Sequence, residues 1–143
     1  MICFRMHSPT RSVFDTTGSL YFEGRWHSLG TKVLYAAENI SLTALETLIH
    51  GGGKKIPPRR VTHILIPDSI IPEQTEWMEL PASRTYGDMW VREQRSLLLR
   101  VPSIAVDKLE SNYIINPAHA AFRLIAEDGT SAFQFDPRFI HLF

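Results

Sequence analysis

Apolar and polar positions recur with two different periods along this chain, and the changes of period mark its elements. Residues 2–6 read as a first strand, followed by a polar, turn-rich stretch over 8–19. Residues 21–27 are dense in aromatic and charged side chains, and Gly30 marks a turn. Residues 32–36 predict a second strand that leads directly into Ile40-Ser-Leu-Thr-Ala-Leu-Glu-Thr-Leu-Ile-His50. There the spacing turns helical: at about 100° per residue, Leu42, Leu45 and Ile49 fall on one side. Asn39 or Ser41 can cap that helix, and Gly51 to Gly53 end it.

Residues 54–60 form a basic loop with two prolines, and 60–66 a strand largely buried on both faces. Residues 67–81 read as a loop, 85–96 as a second helix, and 97–106 as a strand interrupted at Pro102. A short strand follows at 113–115. Asn116-Pro117 then predicts a helix to about Ala126, with Phe122 and Ile125 inward. Residues 132–135 form the last strand, with Phe133 and Phe135 on one face. Strands and helices mix without a regular strand–helix–strand alternation, which predicts an α+β fold.

Composition narrows the classes. The chain has 143 residues, 44% of them hydrophobic and 21% charged, so one domain with a sizeable core is expected over 1–143. No repeat or linker interrupts it. The 15 basic and 15 acidic residues cancel. That balance disfavours a general nucleic-acid binder and suits a protein held in a complex. The single cysteine, Cys3, has no partner for an internal disulfide. The start of the chain has no apolar leader, and no run reaches a membrane-spanning length, so a cytoplasmic location is expected. His7, His27, His50, His63, His119 and His141 lack metal-ligand spacing, and no metal is expected. Lys54, Lys55, Arg59 and Arg60 are the one basic cluster, a solvated loop or a nucleic-acid contact.

Four residues carry candidate chemistry. Glu46 lies four residues after Leu42, beside the apolar stripe of its helix. It is either a solvated carboxylate whose stem covers the stripe edge, or an acid facing a cleft, where it stabilises developing positive charge at a sugar centre. Arg25, in Glu23-Gly-Arg-Trp-His27, can hold a phosphate bidentately, with Gly24 allowing close backbone approach and Trp26 as a flat wall; the competing reading is an ion pair with Glu23 or another acid. Tyr35 can stack on a flat ring or sit in the core with its hydroxyl satisfied. Ser103, after Pro102, can donate to a ligand or finish a bulge; no Gly-x-Ser-x-Gly elbow surrounds it. Gly51 to Gly53 follow a helix and so do not form a phosphate cradle.

Together, Gly24-Arg-Trp26, Gly30, Val33-Leu-Tyr-Ala-Ala-Glu38, Leu42-Thr-Ala-Leu-Glu46, Arg100-Val-Pro-Ser103, Ile115-Asn-Pro-Ala-His119 and Phe133-Gln-Phe-Asp-Pro-Arg138 resemble the RES domain, in order and over nearly the whole chain. The resemblance implies a fold similar to ADP-ribosyltransferases and the toxin role of RES-Xre toxin–antitoxin pairs. It implies attack on NAD at the nicotinamide–ribose bond, ending in hydrolysis, phosphorolysis or transfer of ADP-ribose to a protein. It places Arg25, Tyr35, Glu46 and Ser103 around NAD, and implies an Xre-type helix-turn-helix antitoxin covering the cleft. The chain departs from the family at His27, where Asn is common.

Overall fold

The computed structural model describes residues 1–141. In chain order its elements are β1 (Ile2–His7), α1 (Thr17–Tyr21), β2 (Leu34–Ala37), α2 (Ile40–Gly51), β3 (Arg59–Leu65), β4 (Glu73–Gln74), α3 (Ala82–Glu93), β5 (Leu98–Pro102), β6 (Ser111–Ile115) and β7 (Ala126–Phe133). The strands form one sheet in the order β4-β5-β6-β2-β1-β3-β7. All neighbours are antiparallel except β4 and β5. The α+β expectation holds.

Alternation along the central strands builds two cores, one on each face of the sheet. Leu34 and Ala36 of β2 join Cys3, Ile64, Leu98, Tyr113 and Ile115 on one face. Val33, Leu99, Val101 and Ile114 join Trp26 and Trp90 on the other, with Tyr35 packed against them. Burial pushes the Cys3 thiol up to about 12, so it is not a thiolate at neutral pH. Arg5 is half-buried. Its guanidinium donates to the carbonyls of Val13 and Tyr35, and desolvation lowers its pKa to about 10.

Helix α2 begins and ends where its sequence says. Asn39 Oδ1 accepts from the Leu42 amide at 2.8 Å, and Gly52 takes a left-handed φ of 61°. Its buried face differs from the expected stripe. Leu42, Thr43 and Leu48 are buried, whereas Ile49 is 51% exposed. Around the helix, Glu46 projects between Leu42 and Thr43. It therefore stands in the middle of the face that meets the sheet and the turn after β5, not at the edge of an apolar stripe.

Four other expectations are corrected. In β3 one face is fully buried (Thr62, Ile64, then Ile66), but the other fades from Val61 to Leu65 at 44% exposed. Helix α3 starts at Ala82 rather than 85, without a side-chain cap to announce it, and stops at a left-handed Gln94. The helix expected from 117 to about 126 is only a 3-10 turn over Ala120–Leu124. Asn116 Oδ1 accepts from the Ala118 amide and His119 Nδ1 from the Ala121 amide, so side chains close tight turns in place of α-helical bonds. The last strand begins at Ala126 and not at 132. It is an exposed edge strand paired with β3, so it shows no apolar alternation. The basic cluster is also divided: Arg59 and Arg60 are successive residues of β3 and point to opposite faces of the sheet.

Candidate active site

The acid comes first. Glu46 Oε1 accepts two hydrogen bonds, from Ser103 Oγ at 2.6 Å and from Asn112 Nδ2 at 2.8 Å. Ser103 is 1% exposed and caps the turn Ile104–Val106, its Oγ accepting from the Ala105 amide at 3.2 Å. Among the described residues, no hydrogen bond reaches Glu46 Oε2. Nearby Glu38 differs: it uses one oxygen on the Ser111 amide and the other on Arg100. One acid is thus consumed by structure, while the other has an oxygen without a hydrogen-bond partner among the described residues.

Tyr35 lies on the same face, two residues before Ala37, whose β6 partner is Asn112. The Tyr35 hydroxyl is satisfied internally. It accepts from the Trp26 amide at 3.3 Å and lies 2.6 Å from His27 Nδ1. His27 Nε2 is 2.8 Å from the Phe22 carbonyl, which can only accept. Nε2 therefore carries the proton, and Tyr35 donates to Nδ1. The Tyr35 hydroxyl is thus committed within the fold, and the half-buried ring packs against the Trp26 and Trp90 core. Burial raises the Tyr35 pKa.

A neutral His27 is what this chain of bonds needs, and burial lowers its pKa from the usual 6.5. The unfolded chain then binds a proton that the folded one refuses. Stability should be fully present above pH 6.5 and fall as pH drops below it. Denaturant unfolding from pH 7.5 to 5.5 checks this, with His27→Asn, which cannot titrate, expected to flatten that part of the curve.

Arg25 is held by α3. Ser83 Oγ donates to the Arg25 carbonyl at 2.7 Å, and Arg84 Nε donates to the Gly24 carbonyl at 2.9 Å. Asp88 accepts from the Ser28 amide and from the Ser28 and Thr31 hydroxyls. Gly24 meets the close approach expected of it: a Cβ there would sit 2.6 Å from the Tyr35 hydroxyl. The ion pair with Glu23 is not Arg25's, since Glu23 pairs with Arg84 at 3.3 Å. The flat wall is not Trp26 either, which is 3% exposed in the core. The half-buried Arg25 guanidinium instead lies 4.4 Å over the ring of Trp77.

Two routes connect the four expected residues. Arg25 precedes Trp26, whose amide meets Tyr35, and β2 leads from Tyr35 to Ala37 beside Asn112 and Glu46. On the other side, Lys108 donates its amide to the Ser103 carbonyl at 2.7 Å, and its ammonium lies 5.6 Å from the Trp77 ring that also carries Arg25. Asn112, Trp77 and Lys108 carry no local signal that would mark them in the sequence. None is adjacent in sequence to the others: Asn112 is brought in by pairing with β2, and Trp77 and Lys108 come from the loops after β4 and β5.

Cavities of about 440 and 360 Å³ lie elsewhere, one beside Asp88 and Arg92 and one between α2 and the Phe133–Phe139 region, and neither includes any of the four residues. Among the described residues, no group of three His, Cys, Asp or Glu could hold a metal ion; the side chain of His141 lies outside them. No helix among them is long and apolar enough to cross a membrane.

Comparison with known proteins bears on the family and the fold. The chain is 33% identical over 130 residues to the Prs ADP-ribosylating toxin of Sphingobium sp. (strain YBL2), covering 82% of this chain and 80% of that one. It is 34% identical over 138 residues to the Toxin Res of Yersinia enterocolitica serotype O:8 / biotype 1B, covering 89% and 90%. Its fold matches a chain in the crystal structure of the M.tuberculosis MbcT-MbcA toxin-antitoxin complex, with a TM-score of 0.70 and 12% identity, over 99% of this chain and 87% of that one. Residues 2–136 match the RES domain, and the chain belongs to that family.

Proposed function

We propose that this chain is the toxin of a toxin–antitoxin pair and that it consumes NAD by breaking the nicotinamide–ribose bond. The observation that carries this reading is the half-buried Glu46, fixed through one oxygen by Ser103 and Asn112 while the other has no partner among the described residues. Nicotinamide leaves by taking the electron pair of the C–N bond, which neutralises its ring. The positive charge stays on the ribose. Such a step needs little acid catalysis; it needs a held substrate and a nearby negative charge. Glu46 supplies that charge and an acceptor for ribose hydroxyls. Tyr35 packs on the nicotinamide or ribose, Arg25 holds a phosphate, and Ser103 orients Glu46. Water, phosphate or a side chain then bonds to the ribose carbon and gives up its proton.

Transfer of ADP-ribose to a protein uses the same residues, and the name of the Sphingobium relative favours it as the second reading. Purified protein with NAD labelled in its adenylate half separates the outcomes. Free labelled ADP-ribose or its phosphate supports breakdown; label on protein supports transfer; intact NAD refutes both. The partner proposed is a helix-turn-helix antitoxin of Xre type whose chain covers the cleft in the cytoplasm. The fold shared with a toxin–antitoxin complex motivates it. In the same assay the antitoxin should suppress NAD loss, and undiminished loss in its presence would remove it as the inhibitor.

A further inference from the structure

Trp77 receives two cations. The Arg25 guanidinium centre is 4.4 Å, and the Lys108 ammonium 5.6 Å, from the centroid of the same ring. Like charges brought to one indole repel each other, and among the described residues neither forms an ion pair. Three neighbouring arginines are spent: Arg84 pairs with Glu23, Arg95 with Glu73 and Arg100 with Glu38. Two cations without ion-pair partners among the described residues, both close to one indole, suit a doubly charged anion.

The backbone under Lys108 is shaped for that placement. Asp107 and Lys108 both take left-handed conformations, at φ 54° and 66°, without being glycine. Consecutive outliers of this kind persist only where their surroundings hold them. Here the Ser103 amide donates to the Glu110 carbonyl at 2.9 Å, and the Lys108 amide donates to the Ser103 carbonyl at 2.7 Å. The loop from Ser103 to Glu110 is thereby closed on the residue that holds Glu46, while its lysine reaches to the Arg25 side.

We infer that Lys108 and Arg25, set against Trp77, form one two-cation seat for the diphosphate of a dinucleotide, with Lys108 selecting substrates that carry two linked phosphates. This rests on the NAD reading above and adds a residue to it. Lys108 is a binding residue and takes no part in breaking the glycosidic bond.

The test reads binding and turnover separately. Calorimetry with inorganic pyrophosphate compares the native chain, Lys108→Ala and Lys108→Arg, and NAD turnover is measured on the same proteins. Loss of one charge-assisted contact should weaken pyrophosphate binding about tenfold and raise KM for NAD by a similar factor, with kcat kept. Lys108→Arg should restore most of both. Nicotinamide mononucleotide, which has the same nicotinamide ribose and one phosphate, should lose much less. Unchanged pyrophosphate affinity and unchanged KM in Lys108→Ala overturn the seat. If pyrophosphate binds through Lys108 while NAD stays intact, the NAD reading fails and the seat stands. If NAD is consumed with an unchanged KM in Lys108→Ala, the seat fails and the NAD reading stands.

Discussion

Glu46→Gln should slow NAD consumption by roughly 100-fold or more while leaving the fold in place. Glutamine keeps the shape of the side chain. Its carbonyl oxygen can still accept from Ser103 Oγ and Asn112 Nδ2, the two donors that hold Glu46 Oε1 now. What disappears is the negative charge. A charge that faces an oxocarbenium-like ribose acts more strongly in the transition state than on the bound substrate, so its removal lowers kcat more than it raises KM. The measurement is steady-state NAD loss beside a thermal melt. A folded Glu46→Gln protein with near-native turnover ends the proposed role of this acid.

Gly87→Ala should cost this chain a large part of its stability. Helix α3 lies so close to the 24–28 segment that a Cβ at Gly87 would overlap the Trp26 carbonyl oxygen and fall 2.7 Å from its carbon. Both are backbone atoms and cannot rotate aside. Relief requires α3 to move off the segment it clamps through Ser83, Arg84 and Asp88. Overpacking of this kind costs about 3 kcal/mol, on the order of 10 °C in Tm for a chain of this size. NAD turnover should fall along with stability, because the displaced segment carries Arg25. Gly18→Ala is the control: nothing lies within 4 Å of a Cβ there. Equal melts for the two variants would mean that α3 does not rest on Trp26 as described.

The candidate site was legible in its parts. Arg25, Tyr35, Glu46 and Ser103 each stood out through residue type and local setting, and the helix of Glu46 declared its Asn39 cap and its glycine stop. An ion pair between Arg25 and Glu23 was equally legible and wrong, since Arg84 takes Glu23 from a helix about 60 residues away. Tyr35 met one of its two readings: its hydroxyl is satisfied within the fold and its ring packs against the core. The error in the third helix has the same origin. Asn116-Pro117 opens a helix often enough, but His119 and Asn116 closed short turns, and the following residues found a partner in β3.

The sequence by itself determined what is local: periods of two and 3.6, caps, turn glycines, the mixed α and β content, and which side chains can carry charge. Those follow from backbone geometry and side-chain chemistry within a few residues. Only the tertiary structure decided which of those charges remain available. Glu38 and Glu46 are both acids near β2, yet one is consumed by Ser111 and Arg100 and the other has an oxygen without a partner among the described residues. That difference depends on cross-strand register and on α2 resting against the turn after β5. Both join residues tens of positions apart, whose pairing no local pattern encodes.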